Sequence, residues 1–176
     1  VPAGLCGLLF GGWIEANLRS VLVIALATIF FGVLLGWADR RGARAAGVSQ
    51  VSLKTAVLIG MAQALALIPG TSRSGITMTA GLLLGLSRQQ ASRFSFLLSI
   101  PLISAAGLLK GIELSAQSEP IPWLPMMLGV VVSSLTAWLC IHWFLQLIER
   151  IGFMPFVIYR LVLGGLLLGL RITGAV

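Results

Sequence analysis

The sequence predicts an all-α, polytopic membrane helical bundle with a re-entrant helix hairpin, and three observations carry that prediction. The 176 residues are 58% hydrophobic and only 10% charged, with a mean hydropathy of +1.04, whereas a soluble domain is about one quarter charged. Uncharged runs recur along the chain at lengths that reach or approach the roughly 20 residues needed to cross a bilayer. One pair of runs is too short to span and is interrupted at its midpoint by Pro69-Gly70 and Arg73.

In chain order, Val1–Ile14 opens inside an apolar run with no preceding n-region or cleavage site, so it is not a complete signal peptide. It reads as the tail of a helix whose start lies upstream, and the chain is expected to be the C-terminal portion of a longer protein. Ser20–Ala38 is a full span. The basic segment 39–54, with Arg40, Arg41, Arg44 and Lys54, and the segment 87–93, with Arg88 and Arg93, are read as loops on the cytoplasmic side, because short basic loops stay inside. Phe94–Leu109 is a span that leads to an outer loop, 110–122, holding Glu113 and Glu119. Pro125–Ile148 returns inward and Pro155–Arg171 crosses again.

Segment 55–87 must leave the cytoplasmic side and come back. Each arm has about 14 to 15 residues, or about 22 Å at 1.5 Å per residue, short of the ~30 Å hydrocarbon core. A hairpin with its tip deep in the membrane fits better than two spans, and such irregular backbone must be buried in protein or line a watery cavity. The pairs Gly7/Gly11, Gly32/Gly36, Gly81/Gly85 and Gly165/Gly169 read as packing faces for close helix approach. Trp13, Trp37, Trp123 and Trp143 fit an interfacial belt, with Trp138 deeper. Cys6 and Cys140 lack metal-like spacing and are read as packing residues.

The net charge of +7 would suggest nucleic acid in a soluble protein. Here the bases lie between apolar runs rather than on a patch interleaved with aromatics, which excludes nucleic acid as a partner and assigns them to topology and lipid headgroups.

Chemistry concentrates at the hairpin tip. Pro69 stops the first arm, Gly70 lets the backbone turn, and Ser72 or Ser74 can cap the second arm, which is expected to run through Thr77 and Thr79 to Leu86. The free amides of Thr71 to Gly75 at a helix start favour an anion. Arg73 adds a planar fork matched to phosphate oxygens, and Thr77, one turn on, can direct its hydroxyl to the same space. An unpaired guanidinium in hydrocarbon costs from about 3 to well over 10 kcal/mol, so a bound phosphate is the natural compensation. The plainer alternative pairs Arg73 with a carboxylate or backbone carbonyls, but all five acidic residues lie in loops or near span ends. His142, near Gln146 and Glu149, reads as an interfacial structural residue rather than a base. Arg160, five residues after Pro155, is left between snorkelling inward and meeting a phosphate.

The string Pro69-Gly70-x-Ser72-Arg73-Ser74-x-x-Thr77 resembles the signature of the bacterial undecaprenyl-diphosphate phosphatases of the bacitracin-resistance type. Arg93-Phe94-Ser95-Phe96-Leu97-Leu98 with Pro101, Phe144-Leu145-Gln146-Leu147-Ile148, and Pro155-Phe156-x-x-Tyr159-Arg160 are similar to the same pattern, so the resemblance runs over essentially the whole chain. It implies an enzyme of the bacterial inner membrane that converts undecaprenyl diphosphate to the monophosphate, recycling the carrier for cell-wall synthesis. The implied fold is two inverted repeats around a central site facing the periplasm. By motif position, Arg73 would clamp the diphosphate while Ser72 and Thr77 bind or position its oxygens; Gly70, Thr71, Ser74 and Gly75 would complete the substrate site. Mg²⁺ or Ca²⁺ is the implied cofactor, with metal ligands unassigned. The family's other motif, a glutamate pair ahead of Pro-x-Ser-Ser-Thr-Gly-His, has no match here, and the arm 55–68 carries Gln63 and no acid. The chain therefore reads as the second repeat, inactive alone. Expected partners are the polyprenyl diphosphate lipid, the membrane and the missing N-terminal repeat, with a homodimer open as an assembly. The rival reading is a transporter or flippase of anionic polyprenyl lipid, because broken helices in inverted repeats are also transporter architecture.

Overall fold

A computed structural model describes residues 2–42, 51–116 and 123–174. Among these residues it contains seven α-helices and one 3-10 segment. Helix α1 covers Pro2–Asn17 and α2 covers Val21–Gly42. The hairpin is built from α3 (Leu53–Ala62), the 3-10 segment Gln63–Leu67 and α4 (Arg73–Leu83). Helices α5 (Arg88–Ser115), α6 (Trp123–Ile151) and α7 (Met154–Ile172) complete the chain. Four of them, α2, α5, α6 and α7, are long and apolar enough to cross a membrane, and the protein is a multi-pass membrane protein. Arg44, Glu119, Pro120 and Pro122, on which parts of the loop reading rest, lie outside the described residues.

The first arm ends where the sequence places its stop. Ile68, the residue before Pro69, has φ −71° and ψ 119°, the extended conformation that a following proline imposes. The second arm is shorter than expected: α4 closes at Leu83 rather than Leu86. Gly85 adopts φ +88°, its N–H donates to the Leu82 carbonyl, and the Leu86 N–H donates to that of Gly81. This is a Schellman closure, for which glycine is the favoured residue. The expected loop 87–93 is also corrected, since only Ser87 lies outside the helix. Its hydroxyl accepts from the Gln90 N–H while the Gln90 side chain accepts from the Ser87 N–H. This reciprocal capping box starts α5 at Arg88.

The core joins α2, α4 and α7, with Leu35, Met78, Leu82, Phe153 and Val157 buried together with Ile59 and Ile148. Gly32 and Gly36 permit this approach. A Cβ on Gly32 would lie 3.2 Å from Cβ of Arg160, and one on Gly36 would lie 3.2 Å from Cγ1 of Val157. Gly81 likewise faces Ala91. The pair Gly165/Gly169 meets nothing within 4 Å, so its expected packing role is not realised among the described residues.

At the end of α2, Asp39 is buried at 1% exposure. It accepts from Arg88 Nε at 2.6 Å and Nη2 at 3.1 Å, and from the Phe153 N–H at 3.2 Å. One carboxylate thus ties α2 to the start of α5 and to the turn between α6 and α7. Arg88 is therefore a paired residue in addition to any part in topology, which loop counting could not reveal. Gly152 makes the turn possible: it has φ +68°, and a Cβ there would sit 2.8 Å from Arg88 Cζ.

Candidate functional site

The tip of the hairpin, residues 68–72, is held from two sides. A Cβ on Gly70, which has φ +92°, would overlap the Ile24 carbonyl oxygen, so the chain passes α2 at a distance that only glycine allows. The Gly70 carbonyl accepts from Arg160 Nη2 at 2.6 Å and from Thr28 Oγ1 at 3.3 Å. Arg160 Nε also donates to the Thr28 carbonyl at 3.3 Å. With 8% exposure, Arg160 is buried rather than snorkelling: Nε and Nη2 donate to backbone carbonyls of α2 and the tip, while its side chain also borders a cavity shared with Ser72, Ser74 and Gly75.

Of the two serines that could cap α4, Ser72 does so. Its Oγ accepts from the Gly75 N–H at 3.3 Å, with φ +67° at a residue that carries a side chain. Arg73, Ser72 and Ser74 are exposed. Arg73 forms no ion pair among the described residues, so the carboxylate-pairing alternative finds no partner there.

Thr77 is buried at 2% exposure. Its hydroxyl lies 2.6 Å from Ser95 Oγ and 3.1 Å from the carbonyls of Arg73 and Ser74. With one proton to donate, Thr77 serves one of these carbonyls while accepting from Ser95, which fixes the first turn of α4 against α5.

The predicted residues divide between two cavities. Arg73, Ser74 and Thr77 line a polar one of about 330 Å³ with Gln63, Ser95 and Ser99. Gly70, Ser72, Ser74 and Gly75 line a larger one of about 650 Å³ together with Arg160, Thr28 and apolar and aromatic side chains such as Phe144, Phe156 and Leu163. Ser74 alone of the predicted residues borders both. Thr71 lines neither; it is fully buried and its Oγ1 has no hydrogen-bond partner among the described residues.

A family model described as Bacitracin resistance protein BacA matches residues 1–166. The chain belongs to this family. It is 59% identical over 175 residues to an undecaprenyl-diphosphatase of Hahella chejuensis, covering 98% of this chain and 65% of that protein. It is 59% identical over 171 residues to undecaprenyl-diphosphatase 2 of Stutzerimonas stutzeri, covering 96% and 63%. A third relative, the undecaprenyl-diphosphatase of Chromohalobacter salexigens, is 57% identical over 168 residues, covering 96% and 63%. The chain thus spans less than two thirds of the length of these BacA relatives.

At the tip, Arg73 and the Ser74 hydroxyl border the smaller cavity and the Ser72 and Ser74 hydroxyls the larger one, groups chemically suited to an oxyanion. Holding a divalent cation is different. No group of three histidine, cysteine, aspartate or glutamate side chains comes together among the described residues, and Asp39 is already engaged by Arg88. Hydroxyls, one amide and two arginines do not make a site for a hard cation, which takes carboxylate and carbonyl oxygens. His142 lines neither cavity; its Nε2 lies 3.0 Å from Gln146 Nε2 and its ring stacks on Trp138. Cys140 lines the larger cavity as a free thiol. Sequence reasoning missed Ser95 and Ser99 as site residues. Their signal was present: Ser92, Ser95 and Ser99 recur at helical spacing and share one face of α5.

Proposed function

We propose that the chain is the phosphate-binding second repeat of an undecaprenyl-diphosphate phosphatase, which cleaves the terminal phosphate from the lipid and returns undecaprenyl phosphate to cell-wall synthesis. The observation that carries this reading is Arg73: an exposed guanidinium without a carboxylate partner among the described residues, at the capped start of α4, in a chain whose relatives are named undecaprenyl-diphosphatases. In this reading the hairpin is re-entrant, the site faces the periplasm across the bacterial inner membrane, and the remainder of the intact protein supplies an inverted first repeat.

Arg73 neutralises charge on the transferring phosphoryl group, the α4 amides and the Ser72 and Ser74 hydroxyls orient its oxygens, and Thr77 holds the Arg73 turn in place through Ser95. Mg²⁺ or Ca²⁺ in the intact protein would draw its carboxylates from outside the described residues.

The test is phosphate release from undecaprenyl diphosphate in detergent with Mg²⁺, comparing this chain alone, the chain completed by a family first repeat, and the completed protein carrying Arg73→Ala. Release only from the unmutated complete protein is the expected result. An assembled, lipid-binding complete protein that moves lipid between leaflets and releases no phosphate would replace this reading with transport.

A further inference from the structure

We infer that Arg160 is a positioning residue of the tip: its guanidinium ties the Gly70 carbonyl to α2 and thereby holds the Ser72–Gly75 turn open to an anion. The inference rests on the phosphatase reading for its effect on turnover, but its structural part stands without it.

A guanidinium buried within an apolar helix requires a reason. Arg160 has no carboxylate partner among the described residues, and the acceptors it does have, the carbonyls of Thr28 and Gly70, belong to two different elements. Bridging them needs donors fixed in one plane, which the guanidinium has and an ammonium on a flexible stem lacks. The surroundings are shaped to this side chain: Gly32 leaves room beside its Cβ, and a Cβ on Gly75 would lie 2.9 Å from Nη1. Gly70 and Ser72, the two residues of the turn with positive φ, flank the point that Arg160 and Thr28 grip. Release of the Gly70 carbonyl would let both relax to commoner conformations. The amides at the start of α4 would then no longer converge. Arg160 thus acts through the backbone, bordering the larger cavity with Ser72 and Gly75 while Arg73 lines the smaller one.

The test uses the complete protein in detergent, unmutated and with Arg160→Met, Arg160→Lys or Arg160→Ala. Amide hydrogen exchange across residues 68–76 should rise at least about tenfold in Arg160→Met, while α6 keeps its protection. For undecaprenyl diphosphate, kcat should fall about 10²-fold with KM changed less than about threefold, the cost of misplacing a site by about 1 Å. Arg160→Lys should recover less than about a tenth of the loss, and free guanidinium ion should restore part of the turnover of Arg160→Ala. A folded Arg160→Met with unchanged tip exchange and near-normal kcat would overturn the inference. Full turnover in Arg160→Lys would do the same, because a single charge would then suffice. Where Arg160→Met does not fold, Arg160→Lys decides by the same two readouts, and loss of protection throughout α2 and α7 in both variants would make Arg160 a packing residue. An unmutated protein that releases no phosphate would end the phosphatase reading while leaving the exchange result to decide the structural claim.

Discussion

At the C-terminal end of α4, the turn leads to a charge that is fully answered: Arg88 grips Asp39 with two hydrogen bonds, and the Phe153 N–H satisfies the same carboxylate. At the N-terminal end, Arg73 and Arg160 carry two positive charges with no carboxylate paired to either among the described residues. The first arrangement is self-sufficient and ties three elements together. In the second, Arg160 donates to carbonyls and Arg73 has no carboxylate partner among the described residues. Under the proposed function an anionic ligand completes the balance at Arg73, some three turns from the bidentate pair of Arg88 and Asp39.

That contrast gives an ordered set of expectations. In the complete protein, Arg73→Ala should lower phosphate release on the order of 10³-fold, the lower end of what an arginine stabilising a transferring phosphoryl group contributes. Its thermal unfolding in detergent should be nearly unchanged; a large loss of stability would mean that Arg73 is structurally paired after all. Arg88→Met should do the reverse, costing about 3 kcal/mol of stability by leaving Asp39 buried and uncompensated. Turnover per folded molecule should be retained, as denaturation and assay of the same preparation would reveal. Ser95→Ala should be milder, about 1 kcal/mol from one lost hydrogen bond to Thr77, read as a several-fold drop in kcat. Gly165→Ala should change stability by less than about 0.5 kcal/mol in this chain, since no neighbouring atom awaits the methyl. Gly36→Leu, aimed at Val157, should cost several times more.

The spans, the hairpin and its tip were legible because the signals that specify them are local. Hydropathy runs predict α2, α5, α6 and α7, and Pro69 together with Gly70 marks the turn. Ser72 and Arg73 were legible for the same reason, as a cap and a charge at a helix start. What escaped depends on contacts between distant segments. Asp39 and Arg88 are 49 positions apart, and each looked like an ordinary helix-end charge. Arg160 meets Gly70 across 90 positions, so no periodicity could assign its acceptors. Thr77 was placed on the right turn, but that its hydroxyl is engaged by Ser95 follows only from how α5 crosses α4. The Gly-x-x-x-Gly pairs teach the same lesson: their sequences are equivalent, yet Gly32/Gly36 meet α7 while Gly165/Gly169 meet nothing.

Ser72 stands at φ +67°, a region where a side-chain-bearing residue is strained by about 1–3 kcal/mol. Glycine would occupy that backbone more comfortably, so a laboratory selection for heat resistance alone should favour Ser72→Gly, discarding the hydroxyl that caps α4. Selection for bacitracin resistance should restore serine. If Ser72 serves the proposed phosphatase, the two regimes would pull one codon in opposite directions, setting durability against work at position 72.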